Sequence, residues 1–265
     1  MADLVRLMDI TLKAGKEIME VYQEEFDVEH KDDHSPLTIA DKRSHETIMK
    51  ELKVAYPEIP VLSEEGAEIP YDERSDWDKF WLVDPLDGTK EFIKKNGEFT
   101  VNIALIEGSY PTMGVIYAPA LDTFYFGKEG LGAFKLEEAS ESKAENETDL
   151  VEQSEQLPNV KESDVINVVA SRSHMSDDTQ AFIDELKKGG QQVDVVSAGS
   201  SLKFCLVAEG KADYYPRYAP TMEWDTGAGQ AIVEASGGTV LRHEDQERFY
   251  YNRENLRNGW FLVTR

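Results

Sequence analysis

The sequence predicts a mixed fold, with an α+β first half and an α/β second half. Late in residues 1–136, apolar strand-like runs follow one another with no helical pattern between them, which indicates an antiparallel sheet. In residues 165–265, strand-like and helix-like patterns alternate, which is typical of an α/β layer. Residues 137–164 hold ten acids and two lysines, so we expect a solvated, mobile excursion or linker there, with an interaction tail as the alternative.

Two helices are predicted near the N-terminus. Residues 3–23 repeat apolar side chains at helical spacing, and Asp3 is placed to cap their first turn. Residues 28–35 fit a strand that leads to a loop. Thr38 is placed to cap the second helix. Asp41 falls in the first turn of that helix, where any acid compensates the helix dipole.

The later elements follow from the same patterns. Helices are predicted at Asp177–Lys188, Ser201–Ala208 and Asp225–Ala235, and glycines follow the first two. Strands are predicted at Phe80–Val83, Phe99–Ile106, Met113–Tyr117, Thr123–Phe126, Ala133–Leu136, Val165–Ala170, Val193–Val196, Ala212–Tyr215, Thr239–Leu241 and Trp260–Val263.

Composition limits the partners that the protein can have. With 52 acidic and 28 basic residues, the formal net charge of the 265-residue chain is −24, which disfavours binding to a nucleic acid polymer or an anionic membrane. A free nucleotide remains an acceptable ligand, because its phosphates need only a local pocket. We hypothesise that the acidity reflects a salty cytoplasm.

Cys205 is the single cysteine, which rules out an internal disulfide and fits a reducing cytosol. Because it lies in an apolar helical stretch, we predict a small core residue rather than a nucleophile. The N-terminal residues lack the pattern of a signal peptide, and no apolar run approaches transmembrane length. We expect a cytoplasmic protein with at most peripheral membrane contact, present as a monomer or a homodimer.

The stretch from Trp81 to Phe92 carries the main chemical signal. An apolar run ends at Asp84 and Asp87, which are separated by Pro85 and Leu86. Proline removes an N–H and fixes φ, so the carbonyl of Leu86 can turn toward the same point as the two carboxylates. Oxygen ligands of this kind suit Mg²⁺ or Mn²⁺ rather than zinc. The alternative to a metal site is that the Asp-Pro and Asp-Gly pairs only form a turn at the end of the strand.

A phosphate seat is predicted directly after these acids. The residues from Gly88 and Thr89 onward fit the first turn of a helix, whose free N–H groups favour a bound anion. Two further acidic stretches strengthen the metal hypothesis. The run Val61–Gly66 contains Glu64-Glu65, and Met222–Gly227 contains Trp224-Asp225 at the expected start of a helix.

These motifs together resemble the lithium-sensitive, magnesium-dependent phosphatases of the inositol monophosphatase superfamily. The signature of that superfamily is a Glu-Glu pair, then Asp-Pro-(Leu/Ile)-Asp-Gly-Thr, then a distant Trp-Asp. The resemblance implies a layered αβαβα sandwich of the inositol monophosphatase and fructose-1,6-bisphosphatase type. It also implies two or three Mg²⁺ ions, with Mn²⁺ as a substitute, and inhibition by lithium. The site would lie in the cleft between the two halves.

The resemblance assigns roles to individual residues. Glu64, Asp84 and the Leu86 carbonyl would hold one ion, and Asp84, Asp87 and Asp225 a second ion about 4 Å away. Most of these ligands belong to residues 1–136, whereas Asp225 comes from residues 165–265.

The catalytic roles follow the same resemblance. Asp41 would orient Thr89, which would accept or relay the proton of the attacking water with help from Glu64. The amides of Gly88 and Thr89 would cradle the phosphate. The family register makes Glu64 rather than Glu65 the inner ligand.

Further stretches resemble the branch of the superfamily that acts on 3′(2′),5′-bisphosphate nucleotides. They include Ser171-Arg172-Ser173-His174, the run Gly199–Gly210 and Tyr215-Pro216-Arg217. The resemblance implies hydrolysis of adenosine 3′,5′-bisphosphate to AMP and phosphate, extending to phosphoadenylyl sulfate. The substrate would be bound by Gly88, Thr89, Ser171, His174, Lys203, Arg217 and Asp225.

Other functions remain open at this stage. Inositol monophosphate or fructose 1,6-bisphosphate could be the substrate of the same metal centre. A noncatalytic regulator that binds Mg²⁺ and a nucleotide is an alternative of another class, which the presence of Asp41, Thr89 and all the carboxylates argues against. The blandest alternative is that the acidic clusters are solvated surface, and that Lys203 and Arg217 are ordinary surface residues.

Overall fold

A computed structural model describes residues 2–23, 28–30, 36–66, 69–160, 163–170 and 175–265. The α-helices of these ranges are α1 Leu4–Gln23, α2 Ile39–Ala55, α3 Tyr71–Arg74, α4 Thr89–Ile93, α5 Glu147–Glu152, α6 Asp177–Lys188, α7 Leu202–Ala208 and α8 Gly227–Ala235. Short 3₁₀ turns lie at Glu64–Gly66, Ala139–Glu141 and Glu223–Asp225.

The strands in chain order are β1 Val28–His30, β2 Pro36–Thr38, β3 Val61–Ser63, β4 Lys79–Asp87, β5 Thr100–Glu107, β6 Tyr110–Ala118 and β7 Thr123–Lys128. They continue with β8 Gly132–Glu137, β9 Glu155–Leu157, β10 Val165–Val169, β11 Gln192–Val196, β12 Tyr214–Arg217, β13 Thr239–Arg242 and β14 Phe261–Thr264.

The first sheet is antiparallel over most of its width. In the described part of the chain it has seven strands in the order β3-β4-β5-β6-β7-β8-β9, and only β3 and β4 pair in parallel. The prediction of an antiparallel sheet from successive strand-like runs is therefore confirmed. Helices α1 and α2 pack together and cover one face of this sheet.

The apolar stripe of α1 explains this packing. Its buried residues recur at helical spacing and join a core cluster with side chains of β4, β5 and β6. Asp3 caps the helix as predicted, because its Oδ1 accepts the N–H groups of Val5 at 2.8 Å and Arg6 at 3.3 Å. The side chain of Thr38, predicted to cap α2, lies outside the described part of the structure.

The second sheet forms a separate layer. Its strands run in the order β11-β10-β12-β14-β13, with β10, β11 and β12 parallel and β14 antiparallel to its neighbours. Helices α7 and α8 pack between the two sheets, and α6 packs on the outer face of the second. The layers are therefore α1 and α2, first sheet, α7 and α8, second sheet and α6, which confirms the αβαβα sandwich.

The acid-rich segment 137–164 is largely exposed, yet it contains regular structure that its composition does not predict. The segment contains a 3₁₀ turn, α5, and β9, which pairs antiparallel with β8. Ala139, Leu150 and Leu157 are buried and fasten the segment to the rest of the chain. These few apolar side chains have no regular spacing, so the acid-rich composition concealed them. The proposed division into halves at residues 136 and 165 stays a prediction.

Three smaller findings bear on the predictions. Arg217 is the last residue of β12 and not part of a turn, because it pairs with Phe261 of β14. Cys205 is 1% exposed in the core beneath the second sheet, which confirms a packing role. No helix within the described residues has the length and apolar character needed to cross a membrane.

Candidate active site

A β-bulge in β4 is the central feature of the site. Asp84 pairs with Asn102 of β5 and Asp87 pairs with Thr100, so β4 has one more residue than β5 between these pairs. The bulge includes Pro85, which cannot donate to a ladder. Side chains three positions apart in a regular strand face opposite sides of a sheet, and the extra residue corrects this. Asp84 and Asp87 can therefore act on the same space, although β4 continues to Asp87 instead of ending before the acids.

Hydrogen bonds fix the backbone of the bulge. Asp84 is 1% exposed, and its Oδ1 accepts the amide N–H of Leu86 at 3.1 Å. Ser44 of α2 donates its hydroxyl hydrogen to the carbonyl of Pro85 at 2.7 Å. The carbonyl of Leu86 accepts the hydroxyl of Thr89 at 3.4 Å, which is a long bond. A carbonyl oxygen has two lone pairs, so that of Leu86 keeps the capacity for another partner.

Glu64 reaches the same region from the neighbouring strand. Ser63, the last residue of β3, pairs in parallel with Val83 of β4, so the residues that follow each of them, Glu64 and Asp84, are neighbours. The hydroxyl of Ser63 lies 3.0 Å from Nδ1 of His45 on α2, which ties the end of β3 to that helix. The predicted proximity of Glu64 and Asp84 thus follows from strand register.

Asp225 comes from the second half of the chain, at the end of the 3₁₀ turn that begins at Glu223. Its Oδ2 accepts the amide N–H of Met222 at 2.8 Å, which orients the carboxylate. The carboxylate of Glu223 is fully buried and accepts the N–H groups of Asn252 at 2.8 Å and Arg253 at 3.0 Å, together with the Arg253 Nε–H at 2.9 Å. Glu223 therefore holds the turn in place, and Asp225 is oriented by the turn itself.

The carboxylates of the site repel one another electrostatically. Burial raises the pKa of Asp84 well above its usual value, and the charges of Glu64, Asp87, Asp225 and Asp41 raise it further, in that order. Burial likewise raises the pKa of Asp225 to about 8, with Asp87 as the next cause. The structure thus brings Glu64, Asp87 and Asp225 within electrostatic reach of Asp84.

This donor set suits a hard divalent cation. It offers oxygen atoms alone, as Mg²⁺ and Mn²⁺ prefer, and a cation would relieve the repulsion between the buried Asp84 and its half-buried neighbours. Across the described ranges, no group of three or more acidic, histidine or cysteine side chains could hold a metal ion by itself. Mg²⁺ normally takes one or two carboxylates and fills its shell with water and substrate phosphate, so an open set of ligands agrees with that ion. The assignment of the ligands stays a prediction.

Asp41 and Thr89 border the acidic group. Asp41 lies in the first turn of α2 and is fully buried, and its charge acts on Asp84. Thr89 is the first residue of α4, directly after Gly88. The pairing of Asp41 with Thr89, and the catalytic roles of both residues, stay predictions.

Gly88 forms a tight corner after the bulge. Its φ is +92°, and a Cβ on it would lie 3.1 Å from the carbonyl oxygen of Glu98 and 3.2 Å from the Cβ of Ser200. Gly199 is more tightly confined, since its Cβ would lie 2.7 Å from the same carbonyl of Glu98. Both positions therefore require glycine, and the turn before α7 packs directly against the corner that starts α4.

Two residues of the site, Ser201 and Asn102, were not anticipated from the sequence. The hydroxyl of Ser201 donates to Oδ2 of Asp87 at 2.6 Å and accepts from Nδ2 of Asn102 at 2.7 Å. The carbonyl of Asp225 lies 3.3 Å from the same hydroxyl. Residues 99 and 114 positions apart in the chain make these contacts. No local spacing signal exists for such pairs, although Ser201 lies in the run Gly199–Gly210 that carries the family resemblance.

A partly buried pair of basic residues lies beside the acids. Lys203 of α7 donates to the carbonyl of Ser200 at 2.9 Å, and its burial lowers its pKa, with Asp87 opposing and Arg217 adding to the shift. Arg217 donates to the carbonyl of Pro220 at 3.2 Å, whereas its buried Nε has no hydrogen-bond acceptor among the described residues. Two of the predicted substrate residues are thus close to each other and to the acidic group.

Ser171 and His174 lie outside the described residues. Their expected contacts stay predictions.

A cavity of about 810 Å³ lies in another part of the molecule, where Lys135, Glu155 and Arg265 are among its lining residues. Its charges are largely paired within the protein, since Lys135 contacts Glu137 at 2.6 Å and Arg265 contacts Asp213 at 2.6 Å. The acids around the bulge repel one another instead of pairing with bases, so the bulge is the better candidate for an active site.

The comparisons with known proteins agree with this geometry. Residues 3–259 match the inositol monophosphatase family. The chain belongs to this family. Its members depend on metal ions, of which Mg²⁺ is typical, and sensitivity to lithium is also typical of them.

Individual proteins similar to this chain indicate a branch within the family. The 3′(2′),5′-bisphosphate nucleotidase CysQ of Salmonella typhimurium is 44% identical, over 98% of this chain and 99% of its own length. The crystal structure of CysQ from Bacteroides thetaiotaomicron is 47% identical and superposes with a TM-score of 0.89, covering 98% of this chain and 96% of that one. An inositol monophosphatase from Thermotoga maritima is 23% identical, with a TM-score of 0.71 over 97% of this chain and 89% of its own, and shows a shared fold. The names of the more similar relatives agree with the expected nucleotidase branch.

Proposed function

We propose that the protein is a Mg²⁺-dependent phosphatase that removes the 3′-phosphate of adenosine 3′,5′-bisphosphate, giving AMP and phosphate. It would also convert phosphoadenylyl sulfate to adenylyl sulfate. The observation that carries the proposal is the partly buried pair Lys203 and Arg217 beside the acidic site, because two cations there suit a substrate with a second phosphate. The nucleotidases that are similar over nearly the whole chain support it.

The reaction requires an attacking water and a departing alcohol. The water oxygen forms a bond to the 3′ phosphorus, the bond from phosphorus to the 3′ oxygen breaks, and that oxygen receives a proton. When bound, two or three Mg²⁺ ions would neutralise the phosphate oxygens and lower the pKa of the attacking water. Glu64, Asp84, Asp87, Asp225 and the Leu86 carbonyl would hold them.

The chain itself would move the proton and bind the phosphates. Thr89 would accept or relay the proton of the water while its own hydroxyl proton passes to the carboxylate of Asp41, which orients it, and Glu64 would assist. The amide groups of Gly88 and Thr89 would hold the scissile phosphate at the start of α4. The structure supports a small, fixed corner at this point, because Gly88 is confined on two sides.

The rest of the substrate would be bound by residues of the second half. Lys203 and Arg217 would bind the 5′-phosphate through their positive charges. Asp225 would approach the sugar as well as the metal. Ser171 and His174 would contact the nucleoside.

A substrate panel tests the proposal. Turnover of adenosine 3′,5′-bisphosphate, phosphoadenylyl sulfate, inositol 1-phosphate and fructose 1,6-bisphosphate is measured at one Mg²⁺ concentration. We expect kcat/KM to be at least about tenfold higher for adenosine 3′,5′-bisphosphate than for inositol 1-phosphate, because a charged hydrogen bond contributes about 1.5–3 kcal/mol. A preference for inositol or fructose phosphates would overturn the assignment of substrate, and no turnover of any of them would favour a noncatalytic regulator.

A further inference from the structure

Among the described residues, hydrogen bonds reach one carboxylate oxygen of Asp87 and leave the other open. Its Oδ2 accepts the hydroxyl of Ser201 at 2.6 Å and lies 3.5 Å from Nδ2 of Asn102. Its Oδ1 accepts no hydrogen bond from the described residues. A charge-assisted bond as short as that from Ser201 fixes the plane of a carboxylate strongly.

The donor and acceptor of each hydrogen bond among Asn102, Ser201 and Asp87 follow from the groups themselves. The amide nitrogen of Asn102 can only donate, so the oxygen of Ser201 is its acceptor at 2.7 Å. Ser201 has a single hydroxyl hydrogen, and the carboxylate of Asp87 at 2.6 Å is a closer acceptor than the carbonyl of Asp225 at 3.3 Å. Ser201 and Asn102 are 2% and 1% exposed, so water does not compete for these groups.

Ser201 also joins the two halves of the chain. It immediately precedes α7, which carries Lys203, whereas Asn102 and Asp87 belong to β5 and β4 of the first sheet. Lys203 donates to the carbonyl of Ser200, the residue before Ser201. The orientation of Asp87 and the position of the lysine therefore depend on the same turn.

We propose that the hydroxyl of Ser201 is a positioning group for Asp87, which turns the open oxygen of that carboxylate toward a bound divalent cation. This inference rests on the proposed function, since it takes the acidic group to be a metal centre. Outer groups that orient a ligand commonly change metal affinity about 10–100-fold when they are removed. Ser201 acts through Asp87 and does not touch the cation itself.

The test uses Mn²⁺ alone as the probe, added to the whole metal-free protein and followed by titration calorimetry. We expect Ser201→Ala to weaken Mn²⁺ binding about tenfold, and Ser201→Thr, which keeps the hydroxyl, to bind like the unchanged protein. Ser197→Ala is the matched control, because the buried hydroxyl of Ser197 has no hydrogen-bond partner among the described residues. Its Mn²⁺ affinity should not change.

Two further measurements separate positioning from folding. Thermal unfolding without metal shows whether each variant is folded at the titration temperature, and raising Mg²⁺ should restore the kcat of Ser201→Ala if affinity is its only defect. Equal Mn²⁺ affinities of Ser201→Ala and Ser197→Ala would overturn the positioning role, as would an equal loss in Ser201→Thr. If the unchanged protein fails to bind Mn²⁺, the proposed metal centre fails and the positioning role with it.

Discussion

Asp84 and Asp87 are separated by two residues in one strand, yet the charge of Asp87 acts on the buried Asp84 because a bulge lies between them. Exchange of Asp87 for asparagine should lower the Mg²⁺-dependent rate by about two orders of magnitude while leaving the fold intact. Asp9→Asn makes the same change on the exposed side of α1 and should have no effect. Steady-state rates and circular dichroism check both variants, and an unchanged rate in Asp87→Asn would contradict the site.

Replacement of Asp84 should have opposite effects with and without metal. In the metal-free protein, burial and the neighbouring acids raise the pKa of Asp84, so its ionisation opposes folding as the pH rises above about 4, the usual pKa of aspartate. Asp84→Asn lacks this penalty, so at pH 7 with a chelator it should unfold at a higher temperature than the unchanged protein. A lower unfolding temperature would show that repulsion is not the dominant effect.

Added Mg²⁺ should reverse that order. At a hundred times its Kd, a ligand that binds only the folded state adds about 2.7 kcal/mol to the free energy of unfolding. The unchanged protein should gain about this amount, and Asp84→Asn much less. Differential scanning calorimetry across a Mg²⁺ series measures both, and equal gains would exclude Asp84 as a ligand.

Arg217→Gln should discriminate between substrates. Loss of its contact with a second phosphate should raise KM for adenosine 3′,5′-bisphosphate about 10–100-fold, since a charged hydrogen bond contributes about 1.5–3 kcal/mol. The rate with inositol 1-phosphate, which has no second phosphate, should change little. Arg265→Gln removes another arginine near the second sheet, one that pairs with Asp213, and serves as the control. A parallel loss on both substrates in Arg217→Gln would indicate a structural role.

Gly88→Ala should destabilise the protein and abolish activity together. Alanine at φ +92° is strained, and its Cβ would meet the carbonyl oxygen of Glu98 at 3.1 Å. Gly130→Ala isolates the first effect, because Gly130 has a φ of +79° but a Cβ added there would have no neighbouring atom within 4 Å. We expect about 1 kcal/mol of destabilisation in Gly130→Ala and clearly more in Gly88→Ala. Urea unfolding measures the difference, and similar values would mean that the corner can relax.

Local patterns predicted the regular elements well. The structure has α6 at Asp177–Lys188, the range predicted from its apolar spacing and the glycines that follow it. Predictions from local sequence patterns failed where contacts between distant residues determine the structure. Residues 139–157 are held by a few buried side chains that have no regular spacing. Pro216 has no N–H to donate, but it fits β12 because β10 pairs with β12 only at Tyr214.

The candidate site shows the same limit. Motifs could name the acids because each lies in a short, recognisable stretch, and strand register and the bulge then bring Glu64, Asp84 and Asp87 together. The contact between Ser201 and Asp87 joins residues 114 positions apart, and it exists only when both sheets have packed. No residue spacing within the sequence encodes such a contact.

The first sheet ends on both sides in a strand of only three residues, β3 and β9. An unpaired strand edge is a template on which a foreign chain can add, and the hazard grows with its length. The β9 edge is not only short but carries Glu155 and is followed by Pro158, which has no N–H to offer. The acid-rich segment that supplies β9 therefore guards a wide apolar sheet against aggregation through its border.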